Sequence, residues 1–292
     1  MALSDTTPTG DSALITAILP LKNHHERFLR AALRSMFEQT SSDWRLLVVV
    51  EPAESGRFAE LLADELSDHR VVLIVNTGRK LAGAINSGMR AATTPFVAIL
   101  LGDDRWDTRA VEVLKTYIAR FPNSDFFHSA RRLVDEDDRP ISSIHPACES
   151  FSLADFPKGS PVKHLLCWRR EFGLAVGGLD ETLNSVGPDD YDFPWVMAEG
   201  GARFTAIQEC LYIYRDHREA YRLTTHLPLD HHKKEIKRIL RKHGVPAKIL
   251  AKRLRQAEAG YLRQCLYRSH LDRLWKALCG FDPRRGWRER YR

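Results

Sequence analysis

The segment Pro95-Phe96-Val97-Ala98-Ile99-Leu100-Leu101-Gly102-Asp103-Asp104-Arg105-Trp106 ends an apolar run in two adjacent acids. A short apolar run bounded by proline and glycine reads as a buried strand. Successive side chains of a strand point to opposite faces, so neighbouring acids within it would diverge. In the turn beyond the strand both can approach one ligand. Paired acids there suit a hard divalent cation held against phosphate oxygens. The plainer alternative is a solvated turn whose aspartate caps a helix beginning near Thr108.

The chain on either side favours the first reading. Towards the N-terminus, Ala13–Leu21, Arg45–Val50 and Val71–Val75 are further apolar runs rich in β-branched residues. Between them, Glu26–Gln39, Phe58–Leu66 and Leu81–Ala92 have helical periodicity, with Phe28, Leu29, Leu33, Met36 and Phe37 on one side of the first. Continuous apolar strands alternating with helices predict a parallel sheet covered on both faces. Such sheets bind ligands beyond the carboxyl ends of their strands. Those ends carry Pro20-Leu21-Lys22, Glu51-Pro52, Asn76-Thr77-Gly78-Arg79-Lys80 and Asp103-Asp104. No G-x-G-x-x-G follows the first strand and no G-K-[ST] occurs, which argues against dinucleotide and P-loop phosphate binding.

Beyond the acid pair, Val111–Phe121 is an amphipathic helix and Asp125–Leu133 a strand. Residues 141–160, rich in proline and serine, read as loop or short strands. Then come Trp168-Arg169-Arg170-Glu171-Phe172, the turn Gly177-Gly178-Leu179-Asp180, and Gly187-Pro188-Asp189-Asp190-Tyr191-Asp192-Phe193. Pro194–Glu199 is a short helix; Arg203–Ile207 and Leu211–Tyr214 are short strands before Arg215-Asp216-His217.

With 292 residues, 43% of them hydrophobic, the chain can bury a substantial core. No apolar run is long enough to span a bilayer. The polar segment Met1–Ser12 does not read as a secretory signal, and the five scattered cysteines read as reduced thiols, so the expectation is a cytoplasmic protein without a zinc site. Charge is uneven. Residues 228–292 hold 19 Lys or Arg against 6 Asp or Glu; the chain's +6 less this +13 leaves −7 for residues 1–227. That polarity suggests a catalytic body, 1–227, and a basic helical extension, 228–292.

The order of these features resembles the inverting family 2 glycosyltransferases of GT-A fold. The resemblance rests on Pro20-Leu21-Lys22-Asn23, Ser35 to Gln39-Thr40, Glu51, Asn76-Thr77-Gly78, Ala84-Ile85-Asn86-Ser87-Gly88, Gly102-Asp103-Asp104, Gly177-Gly178-Leu179-Asp180 and Asp189-Asp190. It covers roughly residues 13–217 and leaves out the tail. It departs from the family pattern at Leu21, where a tyrosine is usual, at Glu51-Pro52, and at Gly102, before which the usual first acid is missing.

The resemblance implies an α/β GT-A fold, a mostly parallel Rossmann-like sheet with helices on both faces, followed here by the helical tail. It implies a nucleotide-sugar donor contacted by Pro20, Leu21, Glu51, Gly78, Arg79, Lys80, Asn86 and Asp103, with UDP the expected carrier. It places Mn²⁺ or Mg²⁺ on Asp104, with His217 completing the shell. A cation bridging the diphosphate would offset the charge that develops as the sugar departs. Asp190 matches the family's base, which takes the acceptor hydroxyl's proton, and Asp189 orients the acceptor; both acids could also cap the helix that follows. Gly177 and Gly178 would turn beside a saccharide or lipid-linked acceptor, and Trp168 could stack on it, although an aromatic near a strand end is usually core. Arg215 and Arg218 are further candidates for the diphosphate, with a solvated charged surface as the alternative, which is the preferred reading for Arg222.

The tail carries apolar stripes at Ile236, Ile239 and Leu240, then Ile249, Leu250 and Leu254, then Tyr261 to Leu278, with Lys and Arg between. Basic amphipathic helices can lie on anionic lipid, which would place the protein peripherally at the inner membrane face. The alternative packs the stripes on the body or on a second subunit, a homodimer. No nucleic-acid-binding motif accompanies the charge.

Overall fold

The computed structural model describes residues 13–22, 24–183, 187–217 and 228–268. Asn23, Arg218, Arg222 and the stripe from Leu271 to Leu278 lie outside them. The first half alternates as its periodicity predicts: β1 (Ile15–Leu21), α1 (Glu26–Phe37), β2 (Trp44–Val50), α2 (Ser55–Leu61), α3 (Ala63–Leu66), β3 (Val71–Val75), α4 (Lys80–Ala91) and β4 (Phe96–Ile99). The second half follows with β5 (Arg105–Trp106), α5 (Ala110–Arg120), β6 (Phe126–Val134), β7 (Leu166–Arg169), α6 (Arg170–Ala175), α7 (Phe193–Glu199), β8 (Phe204–Arg215), α8 (Leu229–Lys242) and α9 (Ala247–Arg268).

The described strands form one sheet in the order β3-β2-β1-β4-β7-β6-β8-β5. β3, β2, β1 and β4 are parallel to their neighbours, as are β6 and β8, while β7 runs antiparallel between β4 and β6. Alternation along β1 sends Ile15, Ala17 and Leu19 into a core with α1 and α5, and Ile18 into a second core with α4 and α7. Helices thus cover both faces. Two expectations change. The predicted strands 203–207 and 211–214 are one continuous β8, and the unassigned Leu166–Arg169 is the central β7.

The described part of the tail packs on the body. Ile236, Ile239 and Leu240 of α8 join Tyr191 and Trp195, which flank and open α7, in a third apolar cluster with Phe156 and Leu183. Those three stripe residues are therefore turned away from any lipid surface. Ile249 and Leu262 of α9 remain exposed.

Candidate active site

β4 ends where β5 turns back to pair with β8, and Asp103 and Asp104 sit in the intervening turn. Their environments differ sharply. Asp104 is 1% exposed. Its Oδ2 accepts from the Tyr212 hydroxyl at 2.7 Å and its Oδ1 from the Arg215 backbone N–H at 2.7 Å. Its carboxylate is thus spent on tying the turn to β8. Burial, and then the Asp104 charge, hold the Tyr212 phenol far above its usual range, so it remains a donor. Asp103 is the accessible acid: its side chain is 39% exposed, and Oδ2 lies 3.1 Å from His217 Nε2. The expected metal role of Asp104 is disfavoured by its burial: the carboxylate is almost wholly enclosed and tied by both oxygens to β8. Asp103 carries the accessible oxygen of the pair, and the buried His217 backs it from inside, packed on Phe28.

Arg215 also departs from expectation. Its side chain is buried, with Nε donating to the Asp103 carbonyl at 3.0 Å and Nη2 2.8 Å from Asp138. It braces the acid turn against the 135–138 loop and is not presented to a diphosphate.

The second acid group lies in the turn Pro188–Asp192, which runs into α7. A wide turn closes it: the Asp192 and Tyr191 amides both donate to the Gly187 carbonyl, at 2.7 and 3.3 Å. Gly187 has φ of 61°, the left-handed region that glycine adopts without strain. Asp189 points inward, with Oδ2 3.3 Å from His164 Nε2. Burial, and then repulsion from Asp190, raise the Asp189 carboxyl to about 7. Burial, and then the charges of Arg131 and Lys163, hold His164 down at about 3. Both shifts favour the neutral forms, as expected of a buried pair. Asp190, by contrast, is only partly buried.

A chain of contacts joins the two acid groups. Asp104 accepts from Tyr212. The Tyr212 ring stacks on His164, centroids 5.1 Å apart, and His164 faces Asp189.

Around the ends of β2 and β3 the residues expected to hold the donor are engaged with one another. Glu51, partly exposed, accepts from Asn76 Nδ2 at 3.2 Å. Asn76 Oδ1 in turn accepts from the Gly78 amide at 2.8 Å. The start of α4 is occupied by Glu181, whose Oε2 accepts from the Arg79 amide at 2.8 Å, a favourable place for an anion. A Cβ on Gly78 would lie 2.7 Å from both Glu181 oxygens, so this glycine lets the Glu181 segment approach the start of α4 closely. Asn86, expected on the donor, is buried. Its Oδ1 accepts from the Leu179 amide at 2.8 Å and its Nδ2 donates to the Leu179 carbonyl at 3.0 Å and to Glu181 at 2.9 Å. It fastens the Gly-Gly turn to α4, and both N–H donors of its amide are taken by Leu179 and Glu181. The Arg79 and Lys80 side chains remain exposed. Pro20 and Leu21 close β1 beside the acid turn; Leu21 is buried, 2.9 Å from where a Cβ on Gly102 would sit.

On the expected acceptor side, Gly177 and Gly178 end α6 with φ of 91° and 73°. Trp168 is fully buried, stacked on Phe126, with Nε1 donating to Met89 Sδ at 3.4 Å. It is core and unavailable to stack on a sugar. Sequence reasoning missed Tyr212, His164 and Glu181. Glu181 directly follows the recognised Gly-Gly-Leu-Asp, but His164 and Tyr212 carry no local pattern.

Among the described residues, no cluster of three or more His, Cys, Asp or Glu could hold a metal by itself.

The model of glycosyl transferase family 2 matches residues 16–169. The O-antigen biosynthesis protein RfbC of Myxococcus xanthus is 28% identical over 214 residues, 70% of this chain but only 16% of RfbC. TarS of S. aureus in complex with UDP-GlcNAc superimposes with a TM-score of 0.61 at 14% identity, over 93% of this chain and 77% of that one. The mannosyltransferase PcManGT of Pyrobaculum calidifontis, in complex with GDP-Man and Mn2+, gives 0.59 at 18% identity, over 94% of this chain and 83% of its own. Both structures share the fold. With more than half of its length matched by the family model, and its acid turns set on the sheet that the family's order of motifs implies, this chain belongs to the family 2 glycosyltransferases.

Proposed function

We propose that the protein transfers a sugar, with inversion, from a nucleotide-diphosphate donor to a saccharide or lipid-linked acceptor, in polysaccharide biosynthesis. The observation that carries this reading is the contact chain Asp104–Tyr212–His164–Asp189, which links the turn holding the accessible Asp103, backed by buried His217, to the turn holding Asp190. RfbC's name supports the polysaccharide setting, and TarS's complex supports UDP as the donor's carrier.

Asp103 and His217 would hold Mn²⁺ or Mg²⁺. A carboxylate oxygen and an imidazole nitrogen, side by side at 3.1 Å, are donor types that a divalent ion of this kind would accept. PcManGT's Mn2+ complex supports a divalent ion in this fold. When bound, the ion supplies positive charge to the departing diphosphate. Glu51 stands at the end of β2, placed to accept from a nucleobase once Asn76 yields.

Asp190 is the base. Two adjacent acids in unlike environments divide their roles. Burial, and then Asp190, raise the Asp189 carboxyl to about 7, which sets it apart from its only partly buried neighbour. As the acceptor oxygen attacks the anomeric carbon from the face opposite the diphosphate, its proton passes to Asp190 and the bond to the diphosphate breaks with its electron pair. Asp189, held by His164, fixes the turn.

Calorimetric titration of UDP with and without Mn2+ tests the donor site. Asp103→Asn should abolish the gain that Mn2+ gives, because a neutral amide is a poor ligand for a hard cation. Asp104→Asn should instead lower the melting temperature, since it weakens a bond to Tyr212. If Asp104→Asn loses the Mn2+ effect and Asp103→Asn keeps it, the assignment is reversed.

A further inference from the structure

The last turn of α8 is attached to the acid turn by charged contacts that neither the body nor the tail sequence foreshadows. Lys242 Nζ lies 2.8 Å from Asp192 Oδ2 and 3.2 Å from Asp180 Oδ2. His243 Nε2 lies 3.0 Å from Asp192 Oδ1, and its Nδ1 lies 2.9 Å from Glu199 Oε1. The His243 ring stacks on Trp195 at 4.0 Å with only 5° between the planes. One turn earlier, Arg238 donates to the Thr182 carbonyl at 2.9 Å.

The Asp192 side chain is 0% exposed, so these two partners replace its hydration. A buried carboxylate without partners is strongly unfavourable, so the geometry is held firmly. Asp192 and Asp190 belong to one turn, closed on the Gly187 carbonyl by the Asp192 amide. Fixing one end of so tight a turn fixes the other. Lys242 also reaches Asp180, which follows Gly177 and Gly178, so one ammonium joins both segments expected to border the acceptor.

We propose that Lys242 and His243 are positioning residues for the transfer: by holding Asp192 they set the direction in which Asp190 meets the acceptor hydroxyl. The described tail is then part of the active site's frame. This rests on the reading of Asp190 as the base.

The test compares Lys242→Gln, His243→Gln and Lys242→Arg in the full-length chain. It measures UDP affinity with Mn2+ by calorimetry, and turnover as UDP release from UDP-N-acetylglucosamine or UDP-glucose with water as acceptor. Lys242→Gln should lower kcat about 10–100-fold with UDP affinity and donor KM unchanged, the usual cost of losing a residue that orients a reacting group. Lys242→Arg should restore most of kcat, because guanidinium can still pair with Asp192. His243→Gln keeps the Lys242 ion pair and a hydrogen-bonding side chain, so it should fold even where Lys242→Gln does not, and lose less of kcat. Unchanged kcat in both Gln variants overturns the proposal, and so does a fall in UDP affinity that matches the fall in kcat. A wild-type chain that binds UDP but releases none from either donor removes the base assignment, and this proposal with it. A wild-type chain that turns over but is indifferent to position 242 overturns this proposal alone.

Discussion

The two halves of the sheet are held by different means. From β1 to β4 the strands pair in parallel, their side chains fill two apolar cores, and the connections are helices. From β6 to α8, Phe127, Trp168 and Ile207 join the same cores, but the path is irregular and polar side chains far apart in sequence help to fix it: Tyr212 on Asp104, His164 on Asp189, Lys242 on Asp192. The first half is set by periodic burial, which tolerates substitution of one apolar residue by another of similar volume. The second adds to that burial individual polar pairs, each of which leaves a buried group unsatisfied if its partner is removed. One half offers a rigid floor; the other carries the groups that must be aimed.

That contrast predicts the largest effect at a single partly buried acid that nothing in the cores depends on. Asp190→Asn should cut turnover by about 10²–10⁴-fold, the usual worth of a general base, while melting temperature and UDP affinity stay near wild type. Steady-state kinetics beside Asp189→Asn sharpen the point. A greater loss of turnover at Asp189 would shift the base by one residue and blur the division of roles between the buried and the partly exposed acid.

A smaller effect should appear where the second half borrows the rules of the first. Leu240 is fully buried in the cluster that seats α8 against Trp195. Leu240→Ala should destabilise by about 2–5 kcal/mol through lost burial and the cavity left behind. Denaturant unfolding measures it. A cost under about 0.5 kcal/mol would mean that α8 is attached by its ion pairs alone, and the contrast would become absolute.

These differences decide how much the sequence discloses. β1 to β4 and their helices are legible because alternation and helical spacing are local properties of the chain. So is the acid turn after β4, since the apolar run stops so abruptly there. Which acid faces outward was not legible: that depends on Tyr212, 108 positions further on, and adjacent aspartates look alike in sequence. Asn86 and Trp168 were misplaced for the same reason. An amide in a recognised motif, or an aromatic near a strand end, suits a ligand as well as a neighbouring loop until the fold shows what it touches. β7 escaped because Leu166–Arg169 is short and abuts a helix. The basic tail suggested lipid because charge and apolar spacing are visible in sequence, whereas the carboxylates that meet Lys242 and His243 are distant.

The smallest expected effect tests the polar half through its pH dependence. The Asp189 carboxyl is raised in the folded chain to about 7 from an ordinary value of 3.8, by burial first and by Asp190 second. An acid whose folded value is raised is least harmful to the fold when protonated. Its contribution is most favourable below pH 3.8 and is lost as pH rises towards 7, where the unfolded chain has already released the proton and the folded chain must ionise a buried group. His164 acts in the opposite range: held at about 3 in the fold against 6.5 when free, it costs stability as pH falls below 6.5. Asp189→Asn removes the ionising group and keeps a side chain that can meet His164. The variant should therefore gain melting temperature relative to wild type between pH 5 and pH 8, with the gain growing across that interval. Thermal melts at both pH values measure it. An equal difference at pH 5 and pH 8 would mean that Asp189 ionises normally, and it would remove the electrostatic reason for assigning the proton transfer to Asp190.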